Sequence, residues 1–304
     1  MSSIKVLVTG CFGLYGFEIC NQLKNNFDLI GTYNNNYLST DFNTVKFDIT
    51  DFSTTEKIIN DIKPQYIIHS ASISNPQKAD LIEPKVVYKT NVIATEKLAL
   101  IADKINARFI FISSDLVYAG YRGSYLKENA KLIPISLYAE TKLMAEEKIK
   151  NVSNNFTILR NSLMLGVFEK ENNNFFNMMY HNLKNKKRVR LFYDQYRTPL
   201  SFCEAAKMIN QIIQLVENDE KILLNEVVNF GGNERLSRTD LGILLCNLLK
   251  LDKNLIDSIS VNDLPEIPSV VDVSMNMDKL KSLGIIPNTI EEMIKNEIEK
   301  LTKY

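Results

Sequence analysis

Histidine is almost missing from this chain: its 304 residues include two, His69 and His181. Two imidazoles argue against a histidine-based metal site and against a Ser-His-Asp triad. Cysteine is sparse as well. Cys11, Cys20, Cys203 and Cys246 show neither close pairing nor metal-ligand spacing, so a reducing cytoplasm is expected and no metal. Net charge is absent, because Lys+Arg and Asp+Glu are both 36, which removes support for nucleic acid or a membrane surface as partner. No apolar run approaches a membrane span; Leu241 to Leu249 is a short buried helix segment at best. The N-terminus runs straight into a first strand, so no signal peptide is expected. What remains is ordinary for a soluble globular protein, with 45% hydrophobic and 24% charged residues. The length suggests two domains or one large domain with an appendage.

Short β-branched or apolar runs alternate with longer helical patterns. Strands are expected at Lys5–Thr9, Asp28–Thr32, Tyr66–His69, Phe109–Ser113 and Thr157–Arg160, with helices near Leu14–Leu23, Thr54–Ile62, Val87–Ile105 and Ser136–Ile149. That rhythm calls for an α/β fold: a doubly wound, Rossmann-type parallel sheet covered on both faces. After Arg160 the rhythm weakens. Phe175–Leu183, Thr239–Lys250 (with Ser237 or Arg238 near its start) and Asn288–Lys303 read as helices, and the asparagine clusters at 34–36 and 172–174 as loops. The expected division is a nucleotide domain over residues 1–165 and a smaller, mostly helical substrate domain over 166–304. Residues 188–197 are expected to return a strand to the first sheet, and the cleft is the default ligand site.

The run Val8-Thr9-Gly10-Cys11-Phe12-Gly13-Leu14-Tyr15-Gly16 closes the first strand and opens the first helix. Gly10 permits the tight turn, Gly13 lets the backbone approach a pyrophosphate, and Gly16 lets the helix pack closely. The helix N-terminus supplies N–H groups and partial positive charge. Glycine turns of this kind also occur without a ligand, so the motif alone decides nothing. Further on, Tyr138 and Lys142 lie four apart, hence on one helix face. A nearby ammonium lowers a phenol's pKa and suits it to proton transfer at a carbonyl oxygen. Tyr180 and Lys184 have the same spacing. Context favours the first pair, because Ser113-Ser114-Asp115 ends a strand upstream, at the crevice end of an open sheet. A hydroxyl there could donate to a carbonyl, or could merely cap a turn.

These residues, taken in order, resemble the extended short-chain dehydrogenase/reductases and, more narrowly, the dTDP-4-dehydrorhamnose reductase branch. The resemblance spans nearly the whole chain. It includes the T-G-x-x-G-x-x-G opening, Asp48-Ile49, His69-Ser70-Ala71-Ser72, Asn91, Ser113-Ser114-Asp115, and Tyr138-x-x-x-Lys142 with Leu143 and Glu146. Leu159-Arg160, Asn173-Asn174-Phe175, Asp194 to Pro199, Gly231-Gly232 and Asp272 to Met275 continue it. It implies Tyr138 as catalytic acid, Lys142 on the nicotinamide ribose, Ser114 at the carbonyl and Asn91 organising the site. Gly10, Phe12, Gly13, Leu14, Gly16, Asp48, Ile49, Ser70 and Ala71 would hold the cofactor. Ser72, Asp115, Asn174 and Arg197 would meet a nucleotide-diphospho-sugar, with a homodimer as the candidate assembly.

The implied activity is reduction of a nucleotide-linked 4-keto-6-deoxysugar in polysaccharide biosynthesis. NADP is the implied cofactor, with NAD as the option. The second strand ends in Gly31-Thr32-Tyr33-Asn34-Asn35-Asn36, with no carboxylate to repel a 2′-phosphate and no Arg or Lys to attract it. Leu116 follows Asp115 where the branch's dehydratase relatives carry a glutamate, which argues against elimination. Epimerase chemistry by Cys and His finds neither residue beside Ser114. Leu116 and Leu163 stand where the rhamnose-forming enzymes have aromatic residues, which leaves the particular sugar open. The same branch includes a regulatory subunit of methionine adenosyltransferase, so a cofactor-binding protein partner is the alternative. The basic run Lys184 to Arg190 reads as a solvated helix end or phosphate-facing loop rather than a nucleic-acid patch.

Overall fold

The computed structural model describes residues 3–35, 37–121, 124–169, 174–264 and 270–301. Asn36, Asn172, Asn173 and Lys303, which the sequence reading used, lie outside them. The chain forms two compact units. Unit 1 comprises Met1–Val117, Ser136–Arg160 and Ala206–Val228; unit 2 comprises Tyr118–Ile135, Asn161–Ala205 and Asn229–Tyr304. The expected single boundary at 165 is therefore replaced by several crossings of the chain. No helix among the described residues is long and apolar enough to cross a membrane.

The fold class is as the β-α rhythm requires. Unit 1 is built on β1 (Lys5–Thr9), β2 (Asp28–Tyr33), β3 (Asn43–Lys46), β4 (Tyr66–His69), β5 (Arg108–Ser114) and β6 (Phe156–Asn161). The seven-stranded sheet runs from the strand Glu226–Phe230 through β6, β5, β4, β1 and β2 to β3. The ladders of β1 with β2 and β4, β2 with β3, and β4 with β5 are parallel. Chain order reverses between β1 and β4, which opens the crevice where such sheets bind ligands. Helices α1 (Leu14–Leu23), α2 (Phe52–Ile62), α3 (Ala94–Lys104) and α4 (Leu137–Val152) follow their strands. One apolar cluster joins Leu7, Ile67, Phe109 and Ile158 of the sheet to Ile59, Leu98 and Ala145 of the helices. β5 is buried along its whole length, as a central strand covered on both faces should be.

Two sequence expectations fail here for physical reasons. Residues 188–197 do not return to the large sheet: Val189–Phe192 pairs with Ile256–Ile259 in a separate two-stranded sheet. Val189 and Leu191 are inward while Arg190 is exposed, a one-sided pattern unsuited to a strand covered on both faces. The seventh strand is Glu226–Phe230, whose Val227 joins the unit 1 core. The helix expected over Val87–Ile105 is interrupted. A Pro84–Tyr88 helix and α3 flank a π-type turn at Lys89–Ile93, with Asn91 at its centre.

Unit 2 carries the helices Phe175–Lys184, Arg238–Leu249 and Ile290–Lys300 among short paired strands. Ser237 caps the second of these in a reciprocal capping box with Asp240. Thr289 and Glu292 do the same for the third.

Candidate active site

β5 delivers Ser113 and Ser114 to the crevice end of the sheet, and a short 3-10 turn, Asp115–Val117, ends the run. Ser114 Oγ accepts from Leu116 N at 3.2 Å and donates to Asp115 Oδ1 at 3.3 Å. α4 starts where Ser136 accepts from Ala139 N, which puts Tyr138 in the first turn and Lys142 one turn later. Both are buried, at 8% and 3% exposure. Lys142 Nζ donates to Ile112 O at 2.8 Å and lies 4.7 Å from the Phe111 ring centroid. Burial brings its pKa down to about 7, opposed by the charge of Glu146. Burial pushes the Tyr138 hydroxyl up, a hydrogen bond shared with Ser114 pulls it down, and Asp115 pushes it up again. Tyr138 therefore keeps its proton near neutrality and can give it away. Leu116 packs on the small cluster that contains Tyr138.

A second layer supports this one. Glu146, fully buried, accepts from Ser113 Oγ at 2.5 Å and pairs with Arg160 Nη2 at 2.7 Å. Asn91 clamps the chain after β4: Ile73 N donates to its Oδ1 at 2.9 Å, and its Nδ2 donates to Ile73 O at 3.1 Å. The same Nδ2 reaches Thr141 Oγ1, which donates to Tyr138 O at 2.8 Å. Asn91 thus touches the backbone of α4 through Thr141.

His69, carried in the sequence only as part of a resemblance, has a definite role. Thr95 Oγ1 donates to Asn91 O, so its single proton is committed and His69 Nε2 must be the donor in their 3.0 Å contact. Nδ1 is then the acceptor of Thr9 Oγ1 at 2.7 Å. Burial, helped by the charge of Lys142, lowers the imidazole to about 3, so it stays neutral. A neutral chain of hydrogen bonds runs from the glycine turn to the π-type turn. Thr95 and Thr141 were missed, since they carry no motif of their own, and Thr9 was read only as the first residue of the glycine motif.

The glycine turn has the shape expected of it. Gly10 has φ +71°, and a Cβ there would lie 2.9 Å from Ala71 Cα. A Cβ on Gly16 would lie 2.2 Å from Gly10 O, whereas one on Gly13 would meet only Gly10 O at 3.3 Å. Gly13 caps α1 without a side-chain bond, and the first turn holds no acidic residue. An uncapped helix N-terminus behind an open glycine suits a pyrophosphate. Ser70 Oγ donates to Thr9 O at 2.6 Å and Ala71 N to Thr9 Oγ1 at 3.2 Å, which fixes the β4 end beside the turn. Asp48 Oδ1 accepts from both Thr50 N and Thr50 Oγ1 at 2.8 Å; Ile49 beside it is buried. Phe12 and Leu14 flank Gly13, and Ser72 is half-buried after Ala71. These residues fit a dinucleotide.

The remaining candidates sit in unit 2. Asn174 caps the Phe175–Lys184 helix, accepting from Phe176 N and Asn177 N, and donates to Met164 O at 2.9 Å. Arg197, 4% exposed, donates to Tyr196 O at 2.7 Å and Val270 O at 3.1 Å. His181 Nε2 meets Phe168 O at 2.9 Å.

A family model described as RmlD substrate binding domain matches residues 4–303. A curated methionine adenosyltransferase 2 subunit beta of Xenopus laevis is 25% identical over 287 residues, covering 93% of this chain and 83% of that protein. A dTDP-4-dehydrorhamnose reductase of Aggregatibacter actinomycetemcomitans is 27% identical over 304 residues, with 96% and 97% covered. Among solved structures, a dTDP-4-dehydrorhamnose reductase from Bacillus anthracis in complex with NADP superposes with a TM-score of 0.83 at 21% identity, covering 98% of this chain and 99% of that one.

Proposed function

Because this chain belongs to the RmlD substrate binding domain family, we propose that it is an NAD(P)H-dependent reductase of a nucleotide-diphospho-4-keto-6-deoxysugar, acting in nucleotide-sugar and polysaccharide biosynthesis. The observation that carries the reading is the buried placement of Tyr138 and Lys142 on one face of α4 beside Ser114. The nicotinamide cofactor supplies a hydride when bound. Gly10, Gly13 and Gly16 with the α1 N-terminus hold its diphosphate, and Phe12 and Leu14 beside Gly13 also contact the cofactor; Ser70 and Ala71 line its middle, and Asp48 with Ile49 meets the adenine. Lys142 holds the nicotinamide ribose. Ser114 donates a hydrogen bond to the substrate carbonyl oxygen and fixes its direction. Tyr138 gives its proton to that same oxygen as the alcohol forms. The ammonium of Lys142 favours the phenolate left behind, and Asn91 steadies the helix through Thr141. Within unit 1, Ser72 and Asp115 are the proposed sugar-nucleotide contacts; Asn174 and Arg197 are proposed on the family resemblance alone, a guanidinium suiting a diphosphate because its fork donates two bonds together.

Incubation with a panel of 4-keto sugar nucleotides tests this. Loss of NADPH absorbance should match formation of a 4-hydroxy product. A second reading has one specific support, the relatives that are subunits of methionine adenosyltransferase. It replaces the first if every keto sugar fails while the protein binds cofactor and captures that enzyme's catalytic subunit. Inversion or dehydration of a 4-hydroxy sugar without net cofactor use would point instead to an epimerase or dehydratase.

A further inference from the structure

Tyr33 ends β2, where a Rossmann-type sheet reads the adenosine ribose. Residues 33–35 supply no charge of either sign. The neighbouring strand does. β3 runs parallel to β2 with Lys46 opposite Tyr33, and paired positions of a ladder share a face. Alternation gives the same placement. Ile30, Val45 and Phe47 join the apolar cluster on one side of the sheet, which leaves Tyr33 and Lys46 on the other. That other side is the side of the glycine turn, because the Phe12 and Tyr33 ring centroids are 5.1 Å apart. A Cβ on Gly31 would likewise meet Cys11 there.

The Lys46 side chain is exposed and has no hydrogen-bond or ion-pair partner among the described residues. Asp48, two residues beyond Lys46, keeps one carboxylate oxygen on Thr50. Tyr33, opposite Lys46, belongs to a group of three aromatic rings. Tyr37 lies 5.9 Å from Phe12 and 5.6 Å from Tyr33 between centroids, and it is 63% exposed. An exposed ring such as that of Tyr37 is a stacking surface for a base.

We propose that Lys46 on β3 is the residue that reads the 2′-phosphate of NADP, while Phe12, Tyr33 and Tyr37 form the platform for its adenine. The proposal rests on the dinucleotide reading given above and adds the residues that choose between the two dinucleotides. Lysine acts here as a point charge on a phosphate. The rings act on both cofactors alike, because NAD and NADP share the purine. A cation on the strand beside the usual reader makes NADP the tighter ligand without closing the site to NAD.

Calorimetric titration of the full chain with adenosine 2′,5′-bisphosphate and with 5′-AMP isolates the two parts without turnover. The wild-type protein should bind the bisphosphate roughly tenfold or more tightly than AMP at low salt, and added salt should shrink that ratio. Lys46→Met should bring the ratio to about one with AMP affinity unchanged, and Lys46→Arg should restore it. Tyr33→Ala should weaken both nucleotides together, by roughly tenfold. Matched melting temperatures check that the variants are folded. A wild-type ratio near one, or a Lys46→Met ratio equal to wild type, overturns the proposal, and continued NADPH binding in that case leaves the reductase reading standing. If the wild-type protein binds neither nucleotide nor NADPH, both readings fall together.

Discussion

Tyr138 with Lys142 and Tyr180 with Lys184 share a spacing, a helical setting and a buried tyrosine. Their lysines separate them. Lys184 is exposed and donates to the Tyr180 hydroxyl itself at 3.1 Å, so ammonium and phenol satisfy each other at the surface of unit 2. Lys142 is buried, donates to the Ile112 carbonyl, and its ammonium lies 5.9 Å from the Tyr138 ring centroid. Tyr138 is thereby left to Ser114. The difference teaches that a Tyr-x-x-x-Lys spacing aligns two side chains and nothing more. A site needs a strand end that brings a hydroxyl, and enough burial to give the ammonium electrostatic reach.

The comparison is sharpened most by removing one oxygen. Tyr138→Phe should lower turnover roughly a hundred- to ten-thousand-fold while the dissociation constant for NADPH stays within about twofold, since Lys142 and the glycine turn are untouched. Tyr180→Phe should leave turnover near wild type. Steady-state rates alongside calorimetry read both. Full activity in the first variant and a dead second one would reverse the assignment.

Next in size is the layer beneath Lys142. Glu146→Gln leaves Arg160 charged and buried without its carboxylate, a change that costs about 3–5 kcal/mol in comparable buried pairs. Lys184→Met, at an exposed position, should change stability by about 0.5 kcal/mol or less. Urea unfolding midpoints with unchanged slopes would establish this; equal losses would erase the distinction between the two layers.

The last effect is one of pH. Lys142 falls from 10.5 to about 7 on folding. Between those values the unfolded chain binds more protons than the folded one, so this group's contribution to stability rises with pH and is lost as pH falls through about 7. Lys142→Met removes that dependence. Its melting temperature should gain most on wild type near about pH 6, and the gain should shrink toward about pH 10. Lys184→Met should follow the wild-type pH curve. A constant offset for Lys142→Met would show that its ammonium is not desolvated.

Some of this was legible in the amino acids alone, for local reasons. Lys5–Thr9, Tyr66–His69 and Leu14–Leu23 have the expected bounds, because short apolar runs and a glycine-started helical period are set within one element. Other features left no local trace. β3 is a short edge strand with two exposed ends, so it lacks the apolar run that marks its buried neighbours. The π-type turn at Asn91 forms because the Asn91 amide is held by Ile73 and Thr141, contacts that no helical period encodes.

Sequence by itself determined the parallel α/β architecture, the tight glycine turn and the shared face of Tyr138 and Lys142, since steric freedom, strand alternation and the 3.6-residue turn act between near neighbours in the chain. Only the tertiary structure decided which of two identical Tyr–Lys spacings is buried beside a serine, which strand completes the sheet, and that Lys46 stands opposite Tyr33. Those outcomes depend on desolvation and on pairing between distant segments, and both are set by what packs around a residue rather than by what precedes it.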